Sequence, residues 1–263
     1  MHRQWRPGRG CARRASGSDV RTRVLEICVD TAESLTAAIA GGADRIELCS
    51  ALALGGLTPQ RSLMRLAASA PIPVNAMIRP RAGDFVFERG DFDLMRGDID
   101  DTAEAGLAGV VLGASLPDDR LDAASLRALR AHAADLGLST TLHRAFDLAP
   151  DLNGALECAI DLGFERILTS GGAPRATEGL DRLEGLERTA RGRIVLMPGA
   201  GIRPDTLPAI VRRLPIEELH ASASEAAPKV SARARAFGFA PETSRRTSTQ
   251  IVAELKEAWR KAE

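Results

Sequence analysis

Two short runs place a carboxylate two residues ahead of a thiol: Leu25-Glu26-Ile27-Cys28-Val29 and Arg45-Ile46-Glu47-Leu48-Cys49. In a strand, side chains alternate between faces, so Glu26 shares a face with Cys28, and Glu47 with Cys49. Neighbouring strands run about 4.8 Å apart, close enough for two inward thiols at one sheet end to share an ion. Soft sulfur donors select Cu(I) or Zn, and Met77 and Met197 fall in the same inward phase as further sulfur candidates. The competing reading treats Cys and Met as ordinary interior filler, with Cys28 and Cys49 in successive layers rather than side by side.

The same alternation collects groups for proton transfer. Glu26 and Glu47 are candidate bases, and His143 and His220 are candidate proton carriers. Arg79 suits a carboxylate or phosphate, and Asp147 stands where it could orient His143 or Arg144. The alternative is a buried ionic network in which Glu26, Glu47 and Arg79 serve only one another. Two glycine-bearing segments, Ser170-Gly171-Gly172 and Pro198-Gly199-Ala200-Gly201-Ile202, are candidate anion sites, because glycine lets backbone N–H groups approach a negative charge. Ser170, Gly171, Gly172, Gly199 and Gly201 would form them; the simpler reading is a pair of tight turns.

Other chemistries drop out. The three lysines are Lys229, Lys256 and Lys261, all beyond the last predicted strand, which excludes a strand-borne Schiff base. No Gly-x-Ser-x-Gly elbow occurs, and no Gly-x-Gly-x-x-Gly follows the first strand.

Eight strand-like runs must position these residues: 25–29, 45–49, 73–80, 109–113, 139–146, 166–171, 193–199 and 218–223. Between them the pattern predicts helices, the first opened by Asp30-Thr31-Ala32-Glu33 and closed by Gly41-Gly42, the second opened by Thr58-Pro59. Later helices are predicted near 91–105, 122–136, 150–162, 176–190 and 204–214. Strands alternating with helices imply right-handed crossovers and a parallel sheet. Closed on itself, that is a single-domain (β/α)8 TIM barrel, whose active site lies at the C-terminal ends of the strands. In such a barrel the polar face of each strand points inward, where charge is costly unless paired.

Composition bounds the rest. The 263 residues suit one such domain, and 35 basic against 35 acidic residues argue against nucleic-acid binding by charge. No apolar stretch approaches the roughly 20 residues of a membrane span, and the balance suits a cytoplasmic protein. Residues 1–23 carry seven arginines and one aspartate, which reads as a disordered extension preceding the barrel domain at 24–263. Residues 226–249, with Pro228 and Pro241, read as a long loop leading to a C-terminal amphipathic helix, Ile251 to Lys261. Cys11 falls in the extension, and Cys158 sits mid-helix as a small hydrophobe.

Several motifs, taken in order, resemble one family. They are Leu25-Glu26-Ile27-Cys28-Val29-Asp30, Gly42-Ala43-Asp44-Arg45-Ile46-Glu47-Leu48-Cys49 and Gly55-Gly56-Leu57-Thr58-Pro59. Ile78-Arg79-Pro80-Arg81-Ala82-Gly83-Asp84-Phe85, His143-Arg144-Ala145-Phe146-Asp147 and Arg166-Ile167-Leu168-Thr169-Ser170-Gly171-Gly172 continue the series. Together they resemble the CutC proteins, a family named for copper homeostasis. The resemblance spans about Leu25 to Ser222 and implies a TIM barrel, a cytoplasmic protein and a homo-oligomer. It also implies a copper connection, with Cu(I) ligands falling on Cys28 and Cys49. The rival expectation is a barrel enzyme, isomerase or lyase, working on a small anionic or phosphorylated substrate through Glu and His.

Overall fold

The computed structural model describes residues 23–262. The residues expected to form the Arg-rich extension lie outside that range, apart from Arg23. That residue packs its guanidinium 5.9 Å from the Trp259 ring centroid, as part of the folded domain.

Eight parallel strands alternate with helices: β1 Val24–Val29, β2 Arg45–Leu48, β3 Val74–Met77, β4 Gly109–Leu112, β5 Ser139–Leu142, β6 Arg166–Thr169, β7 Val195–Pro198 and β8 Glu218–Ala221. Hydrogen bonding runs from β7 through β6, β5, β4, β3, β2 and β1 to β8, and β7 lies against β8 to complete a nearly closed (β/α)8 barrel. The surrounding helices are α1 Ala32–Ala40, α2 Arg61–Ala67, α3 Arg89–Glu104, α4 Ala123–Asp135, α5 Leu152–Leu162, α6 Leu180–Ala190 and α7 Leu207–Val211, with the C-terminal α9 Thr249–Lys261. Outward strand residues such as Leu25, Ile27, Ile46 and Leu48 are fully buried beneath the helices, which is the main apolar core.

Local chemistry explains several boundaries. Thr31 rather than Asp30 caps α1, its hydroxyl accepting the Ser34 N–H at 3.0 Å. Asp30 reaches the next loop instead and accepts the Leu52 N–H at 3.1 Å. Asp122 caps α4 and Asp151 caps α5 in the same way. The seventh helix is much shorter than predicted, because its sequence carries Pro204 and Pro208, each lacking a backbone donor.

The segment expected to be a long loop is partly ordered. β9 Ser224–Ala226 pairs antiparallel with β10 Arg245–Thr247, and a short helix, α8 Ala232–Ala236, lies between them. Three-residue strands show too little alternation to be read from sequence, and this pair is fixed by contacts far apart in the chain, such as Arg245 donating to the Ser224 hydroxyl at 2.8 Å.

Candidate functional site

Strand register sorts the inward residues into two levels. Glu26 lies opposite both Arg45 and His220, Cys28 opposite Glu47, Glu47 opposite Asn75 and Thr141 opposite Arg166. The lower level is an ion-pair floor. The Arg45 guanidinium bridges the carboxylates of Glu26 and Glu218, and Glu218 also accepts from Arg166 Nε at 3.1 Å. Arg166 donates in turn to the Thr141 hydroxyl at 3.2 Å. Burial alone would raise the Glu26 pKa, but Arg45 and His220 override it and hold the carboxyl at about 2. Glu26 is therefore a fixed anion. That favours an orienting role for Glu26 over the proton-accepting one expected from sequence.

What Glu26 orients is His220. An ionised carboxylate accepts only, so His220 Nδ1–H donates to Glu26 Oε1 at 2.9 Å and leaves Nε2 facing the mouth. There Nε2 lies 3.8 Å from Glu47 Oε2. Donor atoms of Cys28, Glu47 and His220 all lie within 4.8 Å of one another, and all three residues are buried. Metal–ligand bonds of roughly 2.0–2.3 Å put the ligands of one ion about 3–4.6 Å apart, so this group has the span of a metal site. A carboxylate on the far nitrogen of a ligating histidine is also the usual support for such a ligand. Burial lowers the imidazolium of His220, yet Glu47 and Cys28 outweigh it and push the pKa well above 6.5. Burial pushes Glu47 upward.

Cys49, expected to share an ion with Cys28, is not among the three donors that lie within 4.8 Å of one another. Its register puts it one level beyond Glu47. The thiol donates to Glu47 Oε2 at 3.5 Å and packs with Met77 and Val111. Burial and the adjacent Glu47 raise its pKa well above the ordinary value, so it remains a thiol. Met197 is likewise spent on the floor, accepting from Arg45 at 3.3 Å.

Beside the donor group lies a cavity of about 550 Å³, walled by Leu52, Leu54, Phe85, Leu148, Leu168 and Ile202 among others. Glu47, Arg79, His143, Asp147, His220 and Gly201 also line it. His143 Nδ1 accepts the Ala145 N–H at 3.2 Å, and its Nε2 has no partner. Burial, with Arg79 nearby, drives the His143 pKa down to about 3, so this imidazole is neutral. Gly113 makes room for it: a Cβ there would come within 2.5 Å of the ring. Arg79 donates to the carbonyls of Leu54, Gly56 and Gly83, tying two loops together, while its Nε has no partner. Glu47 Oε1 and both amide atoms of Asn75 also lack partners.

The glycine segments behave differently from the sequence expectation. The Ser170 and Gly172 N–H groups donate to the Asp147 carboxylate, and Gly171 N–H donates to the Thr169 hydroxyl. Asp147 also holds Arg144 Nε at 2.8 Å. The anion at Ser170-Gly171-Gly172 is thus a side chain of the protein itself, and Asp147 orients Arg144 rather than His143. Gly199 donates to Thr169 O at 3.0 Å, and a Cβ there would meet Leu168 at 2.5 Å, so close packing accounts for it. Gly201 remains at the cavity wall. Sequence reasoning missed Arg45, Arg166 and Glu218. Period two would have found Arg45 and Glu218, each two residues before a residue already singled out; Phe85, from a loop, carried no such signal.

A thiol, an imidazole and a carboxylate gathered at the cavity of the C-terminal mouth make this a TIM barrel with a candidate small-ligand or metal site. The family model described as the CutC family matches residues 23–225. The chain is 58% identical over 232 residues to family protein CutC of Rhizobium meliloti, covering 88% of this chain and 94% of that one. It is 53% identical over 239 residues to the Caulobacter vibrioides protein of that name, covering 90% and 97%. The crystal structure of a CutC protein from Streptococcus agalactiae, named for copper homeostasis, superposes with a TM-score of 0.72 at 28% identity, covering 76% of this chain and 99% of that one. This chain belongs to the CutC family. No helix among the described residues is long and apolar enough to cross a membrane.

Proposed function

We propose that this protein serves copper homeostasis in the cytoplasm, working as a homo-oligomer and binding Cu(I) at the barrel mouth. The observation that carries the reading is the convergence of Cys28 Sγ, His220 Nε2 and a Glu47 oxygen within 4.8 Å. Thiolate and imidazole are suited to Cu(I), and Glu47 adds a charge that offsets the ion. Glu26 fixes the tautomer that presents Nε2. The three described cysteines are free, in keeping with a reducing compartment. Cu(I) is held by thiolate and neutral imidazole, so affinity should rise with pH. Cu(I) competition against a chelator of known affinity tests this. One ion per chain is expected, lost in Cys28→Ser and in His220→Gln and retained in Cys49→Ser. Unchanged affinity in Cys28→Ser would overturn the reading, and loss in Cys49→Ser would restore the two-thiol site.

The unpartnered Glu47 Oε1 at the cavity favours a second reading, an isomerase or lyase acting on a small anionic substrate with Glu47 as the proton carrier. Saturating Cu(I) should then inhibit turnover, because metal and proton would compete for one carboxylate.

A further inference from the structure

Arg79 presents an uncompensated charge. It is 5% exposed, and its three hydrogen-bond acceptors are the neutral carbonyls of Leu54, Gly56 and Gly83. Among the described residues it makes no ion pair. The two carboxylates that line the same cavity are engaged elsewhere, Asp147 with Arg144 and Glu47 with Cys49 and His220. A buried cation without a counter-charge is costly, and a protein that keeps one usually meets its partner in a ligand.

His143 supplies a second donor beside it. Because Nδ1 accepts the Ala145 N–H, the ring proton resides on Nε2, which is unpartnered in a residue 3% exposed. Arg79 and His143 both pack on the Phe85 ring, the guanidinium 5.0 Å and the imidazole 4.7 Å from its centroid. Two N–H donors, Arg79 Nε and His143 Nε2, thus belong to side chains that pack on the Phe85 ring and line the same largely apolar cavity of about 550 Å³. That volume lies within the usual range of small-molecule pockets.

From these observations we infer that the mouth holds a small organic monocarboxylate, its oxygens accepting from Arg79 Nε and His143 Nε2 and its apolar body lying against Phe85 and the cavity leucines. Among the described residues Arg79 is the buried arginine of this cavity without an ion pair, and a monocarboxylate supplies its counter-charge. Three of the five guanidinium N–H groups are committed to carbonyls, so Arg79 offers fewer donors than the full clamp that a phosphate dianion favours. Arg79 and His143 share their cavity with Cys28 and His220 but are not among the copper donors, so the metal-stripped chain tests this site apart from copper binding.

Benzoate and its neutral isostere benzamide are suitable probes, with inorganic phosphate as the rival anion, on the metal-stripped full chain. The chain has four histidines, so selective 15N labelling can follow His143 while calorimetry gives affinities. Benzoate should shift the His143 Nε2 signal saturably, and benzamide should bind about tenfold more weakly for want of the charge-assisted bond. His143→Phe keeps a ring on Phe85 but removes the donor, and should weaken benzoate roughly fivefold. Equal affinity for benzamide, preference for phosphate, indifference to His143→Phe, or absence of benzoate binding would each overturn the proposal. Because Arg79 ties two loops, its own variant (Arg79→Gln) is read only alongside circular dichroism, and unchanged benzoate affinity in a folded Arg79→Gln would also overturn it.

Discussion

The floor and the mouth of this barrel use the same residue types to opposite ends. On the floor, Glu26, Arg45, Glu218 and Arg166 alternate in sign and bond to one another. One level up, Glu47, Arg79 and His143 each keep a buried polar atom with no partner. A buried charge costs several kcal/mol unless it is paired, so a closed network is what a structural role demands. Buried polar atoms left unpaired call for an explanation, and for those on residues that line the cavity a ligand supplies one. That difference is the ground for proposing a site at the mouth, with the floor as its support and Glu26 holding His220.

The sharpest way to break this distinction is to cut the floor. Arg45→Met strands two buried carboxylates at once and should lower unfolding free energy by about 3–5 kcal/mol in urea. A loss no larger than that of a mouth variant would erase the contrast.

Acid comes next. Glu26 and His143 both have depressed pKa values, to about 2 and about 3, so each favours folding above its unfolded pKa and loses that contribution as pH falls. His143 acts in the window below 6.5 and Glu26 in the window below 4.5. Stability should decline by up to about 1.4 kcal/mol per pH unit for each group within its window. The slope between pH 6 and 4.5, measured by urea midpoints, should flatten in His143→Asn; an unchanged slope would mean the imidazole is not held neutral. His220 works the other way, since its raised pKa contributes stability at low pH that is lost as pH rises through the folded value.

The mildest effects belong to the mouth. Glu47→Gln and His143→Asn, measured metal-free at neutral pH, should each cost less than about 1.5 kcal/mol. Losses above that bound in both would make the mouth a structural network too. Ligand and metal binding would then need another explanation, because the unpaired atoms would no longer mark a site.

The alternation of side chains along each strand was legible because it is local. Leu25, Ile27 and Val29 facing one way with Glu26 and Cys28 the other follows from backbone geometry, and eight such runs separated by helical patterns gave the barrel. The family motifs and the inward placement of Glu47, Arg79, His143 and His220 were equally readable in the chain. Sequence could not rank neighbours within the interior. Whether Cys28 meets Cys49 or His220 depends on register across β1, β2 and β8, joining residues up to 194 positions apart. Nor could it show that Asp147 fills the glycine loop it was expected to leave open. Parity along a strand is set by neighbouring peptide units, whereas pairing between strands is set by the closure of the whole sheet. The sequence determined which groups face inward; only the tertiary structure decided which of them are spent on each other and which remain free to bind.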